Sequence, residues 1–134
     1  MARDWQHVHN TIIPSHVLSL DDVRQRAHLN RLEVAYLGPE AVGCSTVRPP
    51  TDEAPAATVI ARVLPAFRQQ GFGQELYARG LEFARALGAT TIETVVLASN
   101  LDGLRFAESR GFVEIDRYVL PGDTVAFIDL RLTV

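Results

Sequence analysis

The sequence predicts an α/β domain, a mixed and mostly antiparallel sheet that contains one parallel βαβ pair. Two observations carry this. The runs Thr58–Leu64 (TVIARVL) and Thr90–Leu97 (TTIETVVL) are β-branched and apolar, and a glycine-rich loop plus an amphipathic stretch joins them. Strand, helix and strand with links this short form a right-handed crossover, hence parallel neighbours. On both sides lie alternating runs separated by short turns, the pattern of hairpins.

Composition bounds the rest. A chain of 134 residues with 47% apolar content builds one domain, residues 1–134, on packing alone. Charged residues make up 22% and the net charge is −3, which argues against non-specific binding to nucleic acid or anionic membrane. No apolar run approaches the roughly 18–20 residues that span a bilayer, and MARDWQHVHN lacks a signal-peptide core. Cys44 stands alone, so neither an intrachain disulfide nor a cysteine-rich zinc site is available. A cytoplasmic protein without a metal is the resulting expectation.

The elements follow in order. Residues 1–18 show little periodicity; Thr11-Ile12-Ile13 reads as a first strand ended by Pro14. His7 and His9 would share a face of a strand, but no carboxylate or cysteine nearby completes a metal site, and the segment reads as tag-like or partner-facing. Ser19 caps a short helix with Asp22 at the reciprocal position, and that helix stops near Leu29-Asn30. Arg31–Leu37 and Ala41–Arg48 make a hairpin around Gly38-Pro39-Glu40, with Cys44 as a small packing residue. Pro49–Pro55 is a loop on composition.

Thr58–Leu64 then gives the central strand, ended by Pro65. After the loop Arg68-Gln69-Gln70-Gly71-Phe72-Gly73-Gln74, a helix carries Leu76, Tyr77, Gly80, Leu81, Phe83, Ala84 and Leu87 on one stripe and ends at Gly88. Beyond the second crossover strand, Asn100 caps a short helix closed by Gly111, and Phe112–Leu120 with Thr124–Leu130 forms a last hairpin across Pro121-Gly122-Asp123. A glycine-rich loop entering a helix presents free N–H groups at the positive end of a dipole, a seat for a phosphate. A Walker-type nucleotide site is excluded, since no Lys-Ser/Thr follows the glycines.

Val63, Pro65, Arg68, Gly71 and Gly73 fill the pattern V-x-P-x-x-R-x-x-G-x-G, and Asn100 with Arg110-Gly111-Phe112 follows about thirty residues on. The pair of motifs, in this order and around an amphipathic helix, resembles the GNAT superfamily of acyl-coenzyme A-dependent N-acetyltransferases over roughly residues 31–130. The resemblance implies a GNAT-type fold whose central strands splay apart. It implies that acetyl-CoA (coenzyme A) is the acyl donor, with the loop amides of Arg68, Gln69, Gln70, Gly71, Phe72, Gly73 and Gln74 on the pyrophosphate. The backbone at Arg62, Val63 and Leu64 would pair with the pantetheine arm, and an N–H about Val63 would polarise the thioester carbonyl. The residue matching Asn100 would sit near the pantetheine where the strands diverge.

Two departures stand out. Five residues before Phe112, where many members of the family carry a proton-donating tyrosine, this chain has Ala107, preceded by Phe106. The N-terminal part, residues 1–30, is short for a family that spends a strand and two helices before its first hairpin, so one amine-binding wall is either absent or supplied by another chain, as in a homodimer, or the chain is half of a tandem arrangement. No catalytic side chain is assigned. Glu93 is the one carboxylate on a central strand, with a salt bridge as its competing role, and Tyr118 is a hydroxyl of unfixed direction. The expected function is acetyl transfer to a primary amine, of a small molecule or a protein, by direct attack. The rival is a degenerate domain that binds the cofactor without catalysis and serves sensing or assembly.

Overall fold

The computed structural model describes residues 1–53 and 55–133. Four α-helices, two 3-10 turns and six strands run in the order α1 (Ala2–Ile12), a turn at Pro14–His16, α2 (Leu20–Leu29), β1 (Arg31–Leu37), β2 (Glu40–Arg48), β3 (Ala56–Val63), a turn at Pro65–Phe67, α3 (Phe72–Ala86), β4 (Thr91–Leu97), α4 (Leu101–Ser109), β5 (Val113–Tyr118) and β6 (Phe127–Thr133). The sheet order is β1-β2-β3-β4-β6-β5. Only β3 and β4 run parallel; the other neighbours are antiparallel.

The N-terminal expectation is corrected. Thr11-Ile12-Ile13 is the end of a helix and not a strand. Trp5, Val8, His9 and Ile12 stand at i, i+3, i+4 and i+7, an inward-facing stripe that the intervening Gln6, His7, Asn10 and Thr11 obscured in the sequence. Trp5 is fully buried and its indole N–H donates to the Ser45 carbonyl at 3.0 Å, which pins α1 across β2. Helical spacing also separates the two histidines: His7 is exposed, while His9 is buried and stacked on Trp5 at 5.2 Å. Among the described residues no group of three or more His, Cys, Asp and Glu could hold a metal.

The capping box at Ser19 and Asp22 is present in both directions. Gly88 adopts a positive φ just past α3. Leu87, assigned to the buried stripe of α3, is exposed, because it is the C-cap residue and has left the packed face. The last hairpin has a longer connection than expected, and β6 starts at Phe127 and continues to Thr133. Of the Pro49–Pro55 loop, position 54 lies outside the described residues.

The sheet divides two layers of core. Trp5, Val8 and Val23 from α1 and α2 pack on Leu32 and Cys44 on one face. Tyr77 and Ala84 of α3 and Ala107 of α4 pack on Val47, Val59, Ile92 and Ile128 on the other. At Gly80 a Cβ would lie 2.5 Å from Val59 Cγ1, so only glycine lets α3 approach β3 this closely. Thus α3 and α4 flank the β3–β4 junction on one side, and α1 stands on the other.

Candidate active site

The site begins where two strands part. β3 pairs with β4 only from Ala56↔Thr91 to Thr58↔Glu93. β4 then turns its remaining length to β6, through Leu97↔Phe127, while β3 stays with β2, through Gly43↔Val63. The Leu64 N–H donates to the Val42 carbonyl at 2.9 Å. By strand alternation the amides of Arg62 and Leu64 therefore face β2, and those of Ala61 and Val63 face the gap. Of the three strand positions singled out in the sequence, Val63 presents its backbone to the opening, and Arg62 and Leu64 do not.

That opening is a cleft of about 790 Å3. At one end it is lined by Arg68, Gln69, Gly71, Gly73 and Gln74, and along its side by Val63 and Asn100. Leu64, Gln70 and Phe72 do not line it. Gly71 is the N-cap of α3 with φ 91°, a left-handed conformation that demands glycine. The first intrahelical bond runs from the Glu75 N–H to the Gly71 carbonyl, and no side chain caps the helix, so the N–H groups of Phe72, Gly73 and Gln74 are left for a ligand. Gln69 is the one described non-glycine residue at positive φ, 63°.

Arg68 spans the cleft's floor. Its Nε donates to the Val63 carbonyl at 3.0 Å, and one terminal nitrogen lies 3.4 Å from the Asp102 carboxylate in the first turn of α4. Asn100 caps α4 by accepting from the Gly103 N–H at 3.0 Å, and it lines the cleft as well, so both roles weighed for it coexist geometrically. Ala107 is buried beneath the cleft beside Phe106. Tyr77 packs edge-on against Phe106 and Phe112, and its hydroxyl is buried without a partner among the described residues. Burial pushes its pKa far above the ordinary phenol value.

The cleft passes between the diverging strands to the α1 side, where Ile12, Ile13 and Arg62 form its wall. On β6 and the segments packed on it, opposite the cleft-lining residues Val95 and Leu97, stands a cluster of which the sequence singled out only Tyr118; none of its members lines the cleft itself. Phe127 lies between the rings of His16, 5.8 Å away, and Tyr118, 6.0 Å away. His16 Nε2 is hydrogen-bonded to the Asp123 carboxylate. The Tyr118 hydroxyl donates to Asp129 at 2.9 Å; burial first, and then this bond, push Tyr118 up to about 12. Asp129 sits opposite Val95 in the register of β4 and β6, on the same face as Phe127 and Arg131 and alternating with the core residues Ile128 and Leu130. Glu93 instead accepts from Arg131 at 2.7 Å, at the end of β4 where β3 is still paired, so its structural role prevails over the catalytic one.

A splayed parallel pair with an uncapped helix N-terminus at one end of the gap defines a class of acyltransferase, and the comparisons agree with it. The model of the Acetyltransferase (GNAT) family matches residues 3–112, and the chain belongs to that family. It is an acetyl-CoA-dependent N-acetyltransferase. Among solved structures, Ard1 from Thermoplasma volcanium is 18% identical with a TM-score of 0.80, over 100% of this chain and 93% of that one. The ribosomal-protein-S18-alanine N-acetyltransferase from Escherichia coli is 17% identical, TM-score 0.76, over 98% and 86%. The Salmonella typhimurium protein yncA, solved with its cofactor acetyl-CoA, is 18% identical, TM-score 0.74, over 99% and 90%. A comparison with curated proteins gives no match.

Proposed function

We propose that acetyl-CoA lies with its diphosphate on the amides of the Arg68–Gln74 loop, its pantetheine along the free edge of β3, and its thioester carbonyl at the Val63 N–H. The observation that carries this is the pairing of β3: three residues bonded to β4, then two backbone amides turned into an open cleft that leads to an uncapped helix. A peptide-like arm bonds to such an edge as a further strand would. The amide at Val63 is fixed by its own strand, so it stabilises the developing oxyanion without reorganising.

The amine then comes from the α1 side. Asp129 is the carboxylate we assign to accept its proton: it accepts from the Tyr118 hydroxyl and has Arg48 as its electrostatic neighbour, without a salt bridge among the described residues. Nothing at Ala107 donates to the departing thiolate, which leaves toward water; a thiol of pKa about 8.5 is a tolerable leaving group unaided.

Cytoplasmic residence belongs to the same proposal, in keeping with a lone buried thiol. The dimer expected from a missing wall loses that motive, since α1 and α2 stand against the sheet there; sedimentation at micromolar concentration decides it. The direct test of the donor seat is melting with and without acetyl-CoA. A rise that saturates with the thioester supports it, and an unchanged melting temperature at millimolar acetyl-CoA rejects it.

A further inference from the structure

We propose that the acceptor is a small amine that also carries a carboxylate, an amino-acid-like zwitterion whose acid end is held by Arg62. This rests on the donor placement above, because it takes the α1 side of the gap as the acceptor's entrance.

Arg62 lies on β3 beside the two amides that face the gap, but its side chain points to the opposite layer from α3, toward α1 and α2. It is partly buried and lines the cleft next to Ile12 and Ile13. Six arginines, Arg24, Arg31, Arg68, Arg79, Arg117 and Arg131, are paired with carboxylates. The Arg62 side chain has no hydrogen bond or ion pair among the described residues. Burial lowers its pKa, Cys44 opposes this, and Arg48 and then Arg26 push it further down. A partly buried guanidinium placed among other cations, with no ion pair among the described residues, is costly to hold. An incoming anion removes that cost, and the planar fork of arginine suits a carboxylate.

The carboxylates Asp129 and Asp123 come from β6 and the turn before it, on the same side of the sheet as Arg62. An unpaired cation in the cleft wall and carboxylates on the same face of the sheet, with Arg48 coupled to both Arg62 and Asp129, match a molecule bearing both an acid and an amine. Thr11, Ile12 and Ile13 wall the cleft beside Arg62, so the group that reaches the guanidinium ends there, as a terminal carboxylate does.

The test is a thiol-release assay with acetyl-CoA and three matched acceptor series: L-amino acids, their carboxamides, and the decarboxylated amines. Amino acids should exceed both other series by about 10- to 100-fold in kcat/KM, mainly through KM, the range of one charge-assisted hydrogen-bonded pair. Arg62→Gln should erase that preference by weakening the amino acids alone, Arg62→Lys should restore part of it, and both variants should keep the wild-type melting shift with acetyl-CoA. Carboxamides, peptides or simple amines served as well as amino acids overturn the proposal. So does a preference that survives in Arg62→Gln, or an absence of turnover with every amino acid tried. If wild-type protein shows no shift with acetyl-CoA, the donor seat itself falls; a normal shift with indifference to the carboxylate removes only the acceptor assignment.

Discussion

Replacing Gly73 by aspartate separates the stability of the free protein from its capacity for the donor. Gly73 is the second residue of α3 and lines the cleft. A Cβ there would meet only Val63 Cγ2, at 3.5 Å, an ordinary contact. Aspartate in the first turn gains a few tenths of a kcal/mol in helix propensity over glycine, plus about 0.3–1 kcal/mol from the helix dipole. Unfolding entropy of about 2.1 cal/mol/K per residue over 134 residues gives roughly 0.28 kcal/mol/K. The free Gly73→Asp protein should therefore melt about 2–5 °C above wild type. The same carboxylate stands where the diphosphate would sit, and at ~5 Å and an effective dielectric of ~20 each unit of like charge costs about 3 kcal/mol. Acetyl-CoA at 100 times its Kd adds about 2.7 kcal/mol, or roughly 10 °C, to wild type; that rise should vanish in the variant. Differential scanning fluorimetry reads both numbers. A ligand shift within 2 °C of wild type would show that the loop is not the seat. A free protein melting more than 5 °C lower would show that the helix start has been misjudged.

Other outcomes follow from the same geometry. Tyr77→Phe removes a buried hydroxyl that has no partner among the described residues, so the free protein should gain about 1 kcal/mol with kcat unchanged; a tenfold fall in kcat would instead mean that the hydroxyl takes part in the reaction. Gly80→Ala should lose about 1–3 kcal/mol in urea melts despite alanine's better helix propensity, because its Cβ meets Val59; equal or greater stability would contradict the close packing of α3 on β3. Burial holds His9 below its ordinary 6.5, outweighing the bond to Asn10 that raises it. Below pH 6.5 the unfolded chain takes up this proton before the folded one, so stability is lost as pH falls from 6.5 toward the folded value. His9→Gln should flatten the dependence of the urea midpoint on pH between 7.5 and 5.5, and an identical slope in wild type and variant would rule the linkage out.

The crossover and the capping box were legible because they depend on local rules: β-branched runs, glycine at a left-handed position, serine three residues before aspartate. The first helix was not, because its signal is a stripe of four residues containing a histidine, and only contact with Ser45 and Cys44 shows that Trp5 faces a core. Half of the candidate site was equally hidden. The loop and Val63 form a contiguous stretch with its own pattern, and that stretch lines the cleft. Arg62, Asp129, and His16 with Asp123 come from four separate segments, and their meaning lies in pairing or its absence, which no spacing along the chain encodes. Glu93 illustrates the converse: a carboxylate on a central strand looked suggestive until the register placed Arg131 opposite it.

The short parallel pairing has one more consequence. Amide protons at the middle of a sheet are normally the slowest in a protein to exchange with deuterium. In the empty enzyme Ala61 and Val63 lie at the sheet's centre, yet their amides turn to open solvent-filled space, so they should label early, as in a surface loop. Their retention of hydrogen then depends on cargo rather than on folding, and two isotope signals would count the loaded molecules in a sample directly.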